Sequence, residues 1–192
     1  MHNVTFEEKQ GYRGGTVEGR WYPSVSACLD VLHPPDMTWI DQADLDRGTR
    51  LHQAALNYVK KIKTDVRPED LTRLLPLYRW IDTHLKLTLF AEKTLFSPTY
   101  RYVGTPDWVG LAKTGAHWTI DWKFAETIEK RYYDQAEAYT HFSETSGTRT
   151  HIVQIDKTGA IRVIPVKRRE AAWAAFQAAR NVIAYRMSLR SS

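Results

Sequence analysis

The stretch that decides the fold is HWTIDWK, His117–Lys123. Its aromatic and β-branched residues favour a strand, in which successive side chains point to opposite faces. Asp121 and Lys123 are two residues apart and therefore share one face, whereas the tryptophans and the isoleucine fill the other. Because burying an acid and a lysine is costly unless they are paired, the sequence predicts that a further polar group meets them there.

The preceding segment supplies that group. A turn at Ala112–Gly115 predicts a hairpin between strands over about 107–112 and 116–123. This hairpin brings Asp107 next to the acid and the lysine of the second strand. Two carboxylates suit Mg²⁺, which typically binds one or two protein carboxylates together with substrate phosphate. The bound metal makes water more acidic, and a lysine can orient or deprotonate that water. The constellation therefore indicates phosphodiester hydrolysis, and the alternative is a structural ion pair of Asp121 with Lys123.

The remaining segments alternate between helical and strand patterns. Residues 1–23 are glycine-rich and are expected to be irregular. A short helix capped by Ser24 or Ser26 should end near Leu32. Further helices are expected over 47–63, over about 68–89 with a break or kink at Pro76, over 128–144 and over 169–189. Further strands are expected over 94–103, 151–156 and 161–166. This order predicts one domain, residues 1–192, of α/β (α+β) type with a central sheet flanked by helices.

Four segments carry a resemblance to a known family. They are Gly104–Asp107 with Asp121–Lys123, Gly48–His52, Gln135–Tyr139, and Tyr22–Ser26. The first pair resembles the signature of the PD-(D/E)XK nucleases. The next two resemble the G-x-x-x-H and Q-x-x-x-Y motifs of the RecB-like and lambda-exonuclease-like branch. The last resembles a P-S-V-T segment of phage nucleases and the mitochondrial genome maintenance exonuclease. The resemblance covers about residues 22–156 and implies a restriction-endonuclease-like αβββαβ core with a mixed sheet.

The resemblance also implies roles for individual residues. Asp107, Asp121 and Lys123 would be the catalytic set, with both aspartates and His52 at a Mg²⁺ or Mn²⁺ site. Glu92 lies just before the strand predicted at 94–103, where related enzymes often place another acid, and is a further candidate metal ligand. Its alternative is an exposed glutamate at a helix end. Aspartate at 121 departs from the glutamate usual in this branch, and its shorter reach could change the metal geometry.

Three other polar residues are candidates for substrate binding. Gln135 and Tyr139 are one helical turn apart, and their polar tips could bind a DNA phosphate or hold Lys123. Ser24 is the third candidate. Gly48, one turn before His52, is expected to let another backbone approach the histidine's side of the helix. His117 is expected at an edge away from the metal.

Composition limits the remaining possibilities. Cys28 is the only cysteine, which excludes an intrachain disulfide, a Cys₄ zinc site and a cysteine-ligated iron–sulfur cluster. The net charge of +5 and the pI of about 9.3 suit a polyanionic partner such as DNA. Lys167, Arg168 and Arg169, with the arginines beyond them, could meet phosphate or form a solvated helix face. No apolar run approaches the roughly 20 residues of a membrane helix, so a cytoplasmic location, in a bacterial host if the gene is phage-borne, is expected.

Three functions remain open at this stage. The first is a free-standing DNA exonuclease of phage or prophage recombination, replication or DNA processing, with a single-strand annealing or recombination protein as a partner by analogy. The second is a structure-specific or restriction-type endonuclease with the same catalytic centre. The third is a catalytically silent DNA-binding module, against which the retention of Asp107, Asp121 and Lys123 argues. The sequence carries no oligomerisation signature.

Overall fold

A computed structural model describes residues 3–34, 41–167 and 169–189. Its helices are α1 Val25–Leu32, α2 Gln42–Val59, α3 Leu71–His84, α4 Lys130–Tyr139 and α5 Glu170–Leu189, with short 3-10 turns at Pro68–Asp70 and Ser143–Thr145. Its strands are β1 Thr5–Lys9, β2 Tyr12–Val17, β3 Arg20–Pro23, β4 Leu85–Ala91, β5 Leu95–Ser97, β6 Tyr102–Gly104, β7 Trp108–Ala112, β8 His117–Lys123, β9 Arg149–Ile155 and β10 Ile161–Pro165.

A five-stranded mixed sheet lies at the centre, in the order β10-β9-β8-β7-β4. Strands β8 and β9 are parallel, and every other neighbouring pair in this sheet is antiparallel. α4 connects the two parallel strands, as a crossover between parallel neighbours requires. Helices cover both faces, so the predicted α/β class with a mixed central sheet is confirmed.

The two largest hydrophobic clusters of the described residues pack helices against strands. On one face of the sheet, Ile120 and Trp122 of β8 pack with Leu56 of α2 and Leu77 of α3. The second core joins α1, α4 and α5 with the short β5–β6 hairpin, and Phe176 of α5 is one of its buried residues. Ile120 and Trp122 thus lie on the same, apolar face of β8, as the alternation in the sequence predicted.

The sheet strand next to β7 is β4, and the sequence prediction for this segment was wrong. Residues 85–89 were expected to continue the helix, but α3 ends at His84 and Leu85 is extended. The segment LKLTLFA alternates apolar and polar residues with period two, which favours a strand. Pro76 was expected to break or kink the helix; α3 runs from Leu71 to His84 without interruption.

The segment expected as a strand over 94–103 forms a separate hairpin instead. β5 and β6 form a two-stranded sheet of their own, and Arg101 in the turn between them has a φ of 57°. The backbone of Ser24 forms a bridge with Val103 of this hairpin. The hairpin therefore belongs to the layer of α1 and not to the central sheet.

The glycine-rich N-terminus is a three-stranded antiparallel sheet and not an irregular segment. Two tight turns produce it, at Gln10-Gly11 and Glu18-Gly19, and all four residues have positive φ. Two successive positive φ values match the right-handed twist of a hairpin, and a glycine at the second position favours them. The X-Gly pairs at the two turns are visible in the sequence, but the expectation of an irregular segment overlooked them.

Most other helix predictions hold with shifted ends. α1 begins after Ser24, whose Oγ accepts a hydrogen bond from the N–H of Ala27 at 3.1 Å. α2 starts earlier than predicted because Asp41 caps it, and α4 ends five residues earlier, at Tyr139. Arg168 and Arg190 of the predicted basic segment, and Pro35 after α1, lie outside the described residues. No helix among the described residues is long and apolar enough to cross a membrane.

Candidate active site

The β7–β8 pairing places the two predicted aspartates side by side. Trp108 pairs with Ile120, so Asp107, just before β7, lies beside Asp121. Its Oδ2 accepts a hydrogen bond of 2.7 Å from the backbone N–H of Trp122. This bond attaches Asp107 directly to β8. The hairpin therefore brings together the residues that the sequence predicted it would.

The approach of the chain to Asp107 depends on Gly104. A Cβ at this position would lie 2.8 Å from Cγ2 of Val25 and 2.9 Å from Cζ of Phe142. Real Cβ atoms do not approach neighbours this closely, so only glycine lets β6 pass between Val25 of α1 and Phe142, three residues after α4. The glycine of the Gly104–Asp107 motif thus has a packing reason.

Asp121 and Lys123 form a buried ion pair on the polar side of β8. The Lys123 Nζ lies 2.7 Å from Asp121 Oδ2, and Asp121 is almost completely inaccessible to solvent. Burial raises the pKa of Asp121 to about 6, and the neighbouring Asp107 carboxylate adds to the rise while Lys123 opposes it. Burial lowers the pKa of Lys123, but the charges of Asp121 and Asp107 outweigh it and leave a net rise. The ammonium therefore stays charged at neutral pH.

A chain of hydrogen bonds fixes the position of Lys123. Its Nζ donates to Gln135 Oε1 at 2.9 Å, and Gln135 Nε2 donates to the Tyr139 hydroxyl at 2.9 Å. The Tyr139 hydroxyl donates in turn to the backbone oxygen of Thr105 at 3.2 Å. The ammonium also lies 4.9 Å from the centre of the Tyr132 ring, within the range of a cation–π contact. Gln135 and Tyr139 thus orient the lysine, one of the two roles foreseen for them.

His52 reaches the same group from α2. Its Nε2 is 2.9 Å from Asp107 Oδ2. Burial lowers the pKa of His52, but the charge and hydrogen bond of Asp107 outweigh it and raise the pKa overall. The expectation for Gly48 was wrong, because a Cβ there would meet nothing of the described chain within 4 Å. His52 thus contacts Asp107 without help from a close approach at Gly48.

A cleft of about 490 Å³ opens beside this group. Glu92 lines it, but its carboxylate forms an ion pair with Lys60, whose Nζ is 3.3 Å away. Only its backbone is tied to the site, through a 2.9 Å hydrogen bond from its N–H to the Asp107 carbonyl. Ser24 also lines the cleft, but its Oγ is engaged by Ala27 N–H and by Ser26 Oγ at 2.9 Å. The structure therefore brings both residues to the cleft with their polar side-chain atoms already paired.

The N-terminal sheet adds residues to the cleft that the sequence analysis missed. Phe6 of β1 and Arg13 of β2 line it, and the Arg13 guanidinium lies 5.2 Å from the centre of the Phe6 ring. Thr94 and Thr105 line it as well, with their hydroxyls 3.2 Å apart. The turn residues at 10–11 and 18–19 were the signal that could have predicted this contribution. They indicate that Arg13 lies in a strand, in which the face that its side chain takes is fixed by the alternation of the backbone.

The remaining predicted residues lie away from the cleft. His117 is exposed at the start of β8, at the opposite end of the strand from Lys123, as expected. Arg169 lies at the start of α5, where its Nη1 is 3.5 Å from Asp134 Oδ1. Arg186 donates to the Tyr12 hydroxyl at 2.6 Å. These two arginines are engaged within the fold rather than at the cleft.

The carboxylates and the imidazole of this cluster are side chains that can bind a divalent metal ion. Among the described residues, no group of three or more histidine, cysteine or acidic side chains is arranged as a ready metal site. The cluster nevertheless offers two carboxylates and an imidazole, and buried Asp121 Oδ2 receives no well-directed hydrogen bond. Hard oxygen donors are those that Mg²⁺ and Mn²⁺ prefer. The residues present therefore fit such a metal ion. To bind, the ion would have to compete with His52 for the Asp107 carboxylate and with Lys123 for the Asp121 carboxylate.

Comparisons with known proteins bear on the fold. No family model and no curated protein matches the chain. The crystal structure of an alkaline exonuclease, LHK-Exo, from Laribacter hongkongensis matches with a TM-score of 0.50 at 12% identity, over 88% of this chain and 89% of that chain. LHK-Exo in complex with dAMP matches with a TM-score of 0.49 at 15% identity over the same shares. At such identities the likeness concerns the arrangement of helices and strands, and the chain has the fold of this exonuclease.

Proposed function

We propose that this chain is a Mg²⁺- or Mn²⁺-dependent DNA exonuclease of the RecB-like and lambda-exonuclease-like branch of the PD-(D/E)XK nucleases. One observation carries the proposal: Asp107, Asp121 and Lys123 converge at adjacent strand ends beside a cleft, and Gln135 holds the lysine. The fold shared with an alkaline exonuclease supports it. A metal site requires two carboxylates that are held close together. A purely structural ion pair of Asp121 with Lys123 would not require a second carboxylate beside it.

The metal would be held by Asp107 and Asp121, with His52 as the third donor. When bound, the ion would supply Lewis acidity to a phosphate oxygen and a more acidic water. Glu92 remains a candidate only if its carboxylate leaves Lys60. These assignments explain why two acids are buried together at a site where burial raises the pKa of Asp121.

The chain's own residues would bind and orient the substrate. The Lys123 ammonium, fixed by Gln135, would stabilise the negative charge that develops on the scissile phosphate and orient the attacking water. His52 and the Trp122 N–H hold the Asp107 carboxylate in one orientation. Arg13 would neutralise a phosphate entering the cleft, and the neighbouring Phe6 ring offers a surface for a base.

We favour an exonuclease over an endonuclease because the chain shares its fold with an alkaline exonuclease. The same catalytic centre would serve both activities, so the form of DNA that is cleaved has to decide between them. By analogy, we place the activity in a phage or prophage recombination, replication or processing role, with a single-strand annealing protein as the partner.

Digestion of three DNA forms tests the proposal. Linear single-stranded, linear double-stranded and closed circular DNA are each incubated with Mg²⁺, with Mn²⁺ and with EDTA. Lys123→Ala is the inactive variant, and Lys157→Ala, which alters an exposed turn lysine, is the matched control. We expect metal-dependent loss of linear forms only, unchanged in the control and absent in Lys123→Ala.

Three outcomes would change the conclusion. Cutting of closed circles would assign an endonuclease with the same catalytic centre. DNA binding without cleavage under every condition would favour a silent module. Cleavage by Lys123→Ala at the parent's rate would show that the proposed site is wrong.

A further inference from the structure

The outer edge of the central sheet is open at β4. In the described part of the chain, no strand pairs with β4 on the side away from β7. β4 has seven residues, and four consecutive ones, Lys86, Leu87, Thr88 and Leu89, are exposed. Leu87 is 54% exposed and Leu89 is 55% exposed. An apolar strand with free backbone donors and acceptors is a ready template for another strand.

The opposite edge of the same sheet looks different. β10 is shorter, carries the exposed Arg162, and ends in Pro165, which has no N–H to donate. A short strand, a charge and a proline are features that protect a sheet edge from unwanted pairing. On β4 the only such feature is the charge of Lys86. The edge at β4 is therefore less protected from pairing than the edge at β10.

A groove of about 830 Å³ runs beside β4, which we call the β4 groove. Its apolar lining comes from the ends of α2 and α3 and from β4 itself, and includes Val59, Ile81, Leu85 and Leu87. Ile62, which is 54% exposed, lies at its border. A strand added to the edge of β4 could place alternate side chains against these apolar residues.

The charges around the β4 groove indicate what kind of strand would fit. Four lysines line it, Lys61, Lys63, Lys86 and Lys113, and Asp82 is the only acid among its lining residues. The Asp82 carboxylate already accepts a 2.7 Å hydrogen bond from the Tyr58 hydroxyl. A second copy of β4 would bring like charges together, which opposes self-pairing. The groove is therefore complementary to an acidic segment.

We propose that the β4 groove binds a partner protein through an extended segment of alternating acidic and apolar residues, which pairs with β4 as a sixth strand. Backbone hydrogen bonds would come from the open edge, apolar contacts from Leu85 and Leu87, and ion pairs from the lysines. β4 leads directly to Glu92 at the cleft, so the partner would be held beside the candidate active site. The proposal does not depend on nuclease activity.

A designed peptide tests this inference on the full chain. The probe is an end-blocked, fluorescent seven-residue peptide of alternating glutamate and valine, and its matched counterpart has lysine in place of glutamate. Leu87→Lys alters the groove, and Leu75→Lys, which alters an exposed leucine of α3 outside the groove, is the control. We expect Leu87→Lys to weaken binding of the glutamate peptide by about tenfold or more, and Leu75→Lys to leave it unchanged.

Two further measurements locate the peptide and identify its chemistry. Amide hydrogen exchange should slow along Leu85–Ala91 when the peptide is bound. Lys86→Glu should weaken the glutamate peptide and strengthen the lysine peptide. The inference is overturned if the glutamate peptide does not bind the parent at about 1 mM, if Leu87→Lys binds it unchanged, or if a short single-stranded oligonucleotide displaces it. A parent dimer that Leu87→Lys separates would assign the groove to a second copy and overturn it too.

Discussion

On one face of β8, Ile120 and Trp122 are fully buried against α2 and α3; on the other face, Thr119 and Asp121 are equally buried but polar. The apolar face needs only shape-matched neighbours. The polar face needs specific partners for each atom, and it obtains them from Lys123, from α4 and from the Asp107 segment. Equal burial therefore serves two purposes, stability on one side and pre-positioned charges on the other.

The largest effect is expected from a substitution at the polar face, which should impair activity without lowering stability. Asp107→Asn keeps an oxygen that can accept from the Trp122 N–H but removes a carboxylate from the site. We expect DNA cleavage to fall on the order of 10³-fold and Mn²⁺ binding to be lost, with the melting temperature nearly unchanged. Cleavage rates, calorimetric titration and thermal unfolding measure the three quantities. Asp44→Asn, at an exposed residue of the first turn of α2, is the control and should change none of them.

The apolar face should respond in the opposite way. Trp122→Ala removes a fully buried ring from the core between β8 and the helices α2 and α3, and should lower the free energy of unfolding by about 3–5 kcal/mol. Urea unfolding monitored by circular dichroism measures this loss. A variant as stable as the parent would contradict the division of β8 into a stabilising face and a reactive face.

The charge state of Asp121 sharpens the comparison further. Its pKa of about 6 in the metal-free protein means that protons compete with a cation for this carboxylate below that pH. We expect the Mn²⁺ affinity to fall by at least about tenfold for each pH unit below 6, because the protons of Asp121 and of His52 must both leave before the ion binds. Calorimetric titrations across this range test it. An affinity independent of pH would place the metal elsewhere than on Asp121.

The hydrogen-bond chain behind Lys123 should contribute less. Tyr139→Phe keeps the buried ring but removes the hydroxyl that joins Gln135 to the Thr105 carbonyl. The loss of one such bridge is worth about 1 kcal/mol, so we expect kcat to fall roughly fivefold with a smaller change in KM for DNA, because the bridge positions Lys123 for charge that develops in the transition state. Steady-state kinetics on one linear substrate separates the two constants. A rise in KM alone would instead assign the hydroxyl to substrate binding.

The smallest effect concerns His52 and the pH dependence of stability. Asp107 holds the pKa of His52 above its usual value in the folded protein, against the opposing effect of burial. Because the pKa of His52 is higher in the folded than in the unfolded protein, protonated His52 stabilises the fold. This contribution is complete below the pKa of about 6.5 of the unfolded chain, and it is lost as the pH rises through the pKa of His52 in the folded protein. The parent should therefore exceed His52→Gln in melting temperature by more at about pH 6 than at about pH 9. Equal differences at both pH values would show that the His52–Asp107 contact is not charged.

Much of the fold was readable from local patterns. The alternation in β8, the turn before it and the Ser24 cap of α1 are decided by neighbours in sequence, and all three predictions are confirmed. The residues of the candidate site were also found by pattern, and the structure brings Asp107, Asp121 and Lys123 together. Their catalytic roles stay predictions.

Predictions failed where distant contacts decide. Residues 85–89 could extend a helix or form a strand, and pairing with β7 selects the strand. The apolar stretch over 94–103 was expected in the central sheet, but its place beside β7 is occupied by β4. A short apolar segment fits either position, because its own residues do not determine which strand lies next to it.

The sequence by itself determined which side chains of β8 share a face, since the period of a strand is a local property of the backbone. It also determined that an acid and a lysine lie together on that face. Only the tertiary structure decided that His52 contacts Asp107, that Glu92 pairs with Lys60, and that Arg13 reaches the cleft. The reason is physical: these contacts join elements that are far apart in the chain, and their geometry depends on how the layers pack and not on the residues next to each one.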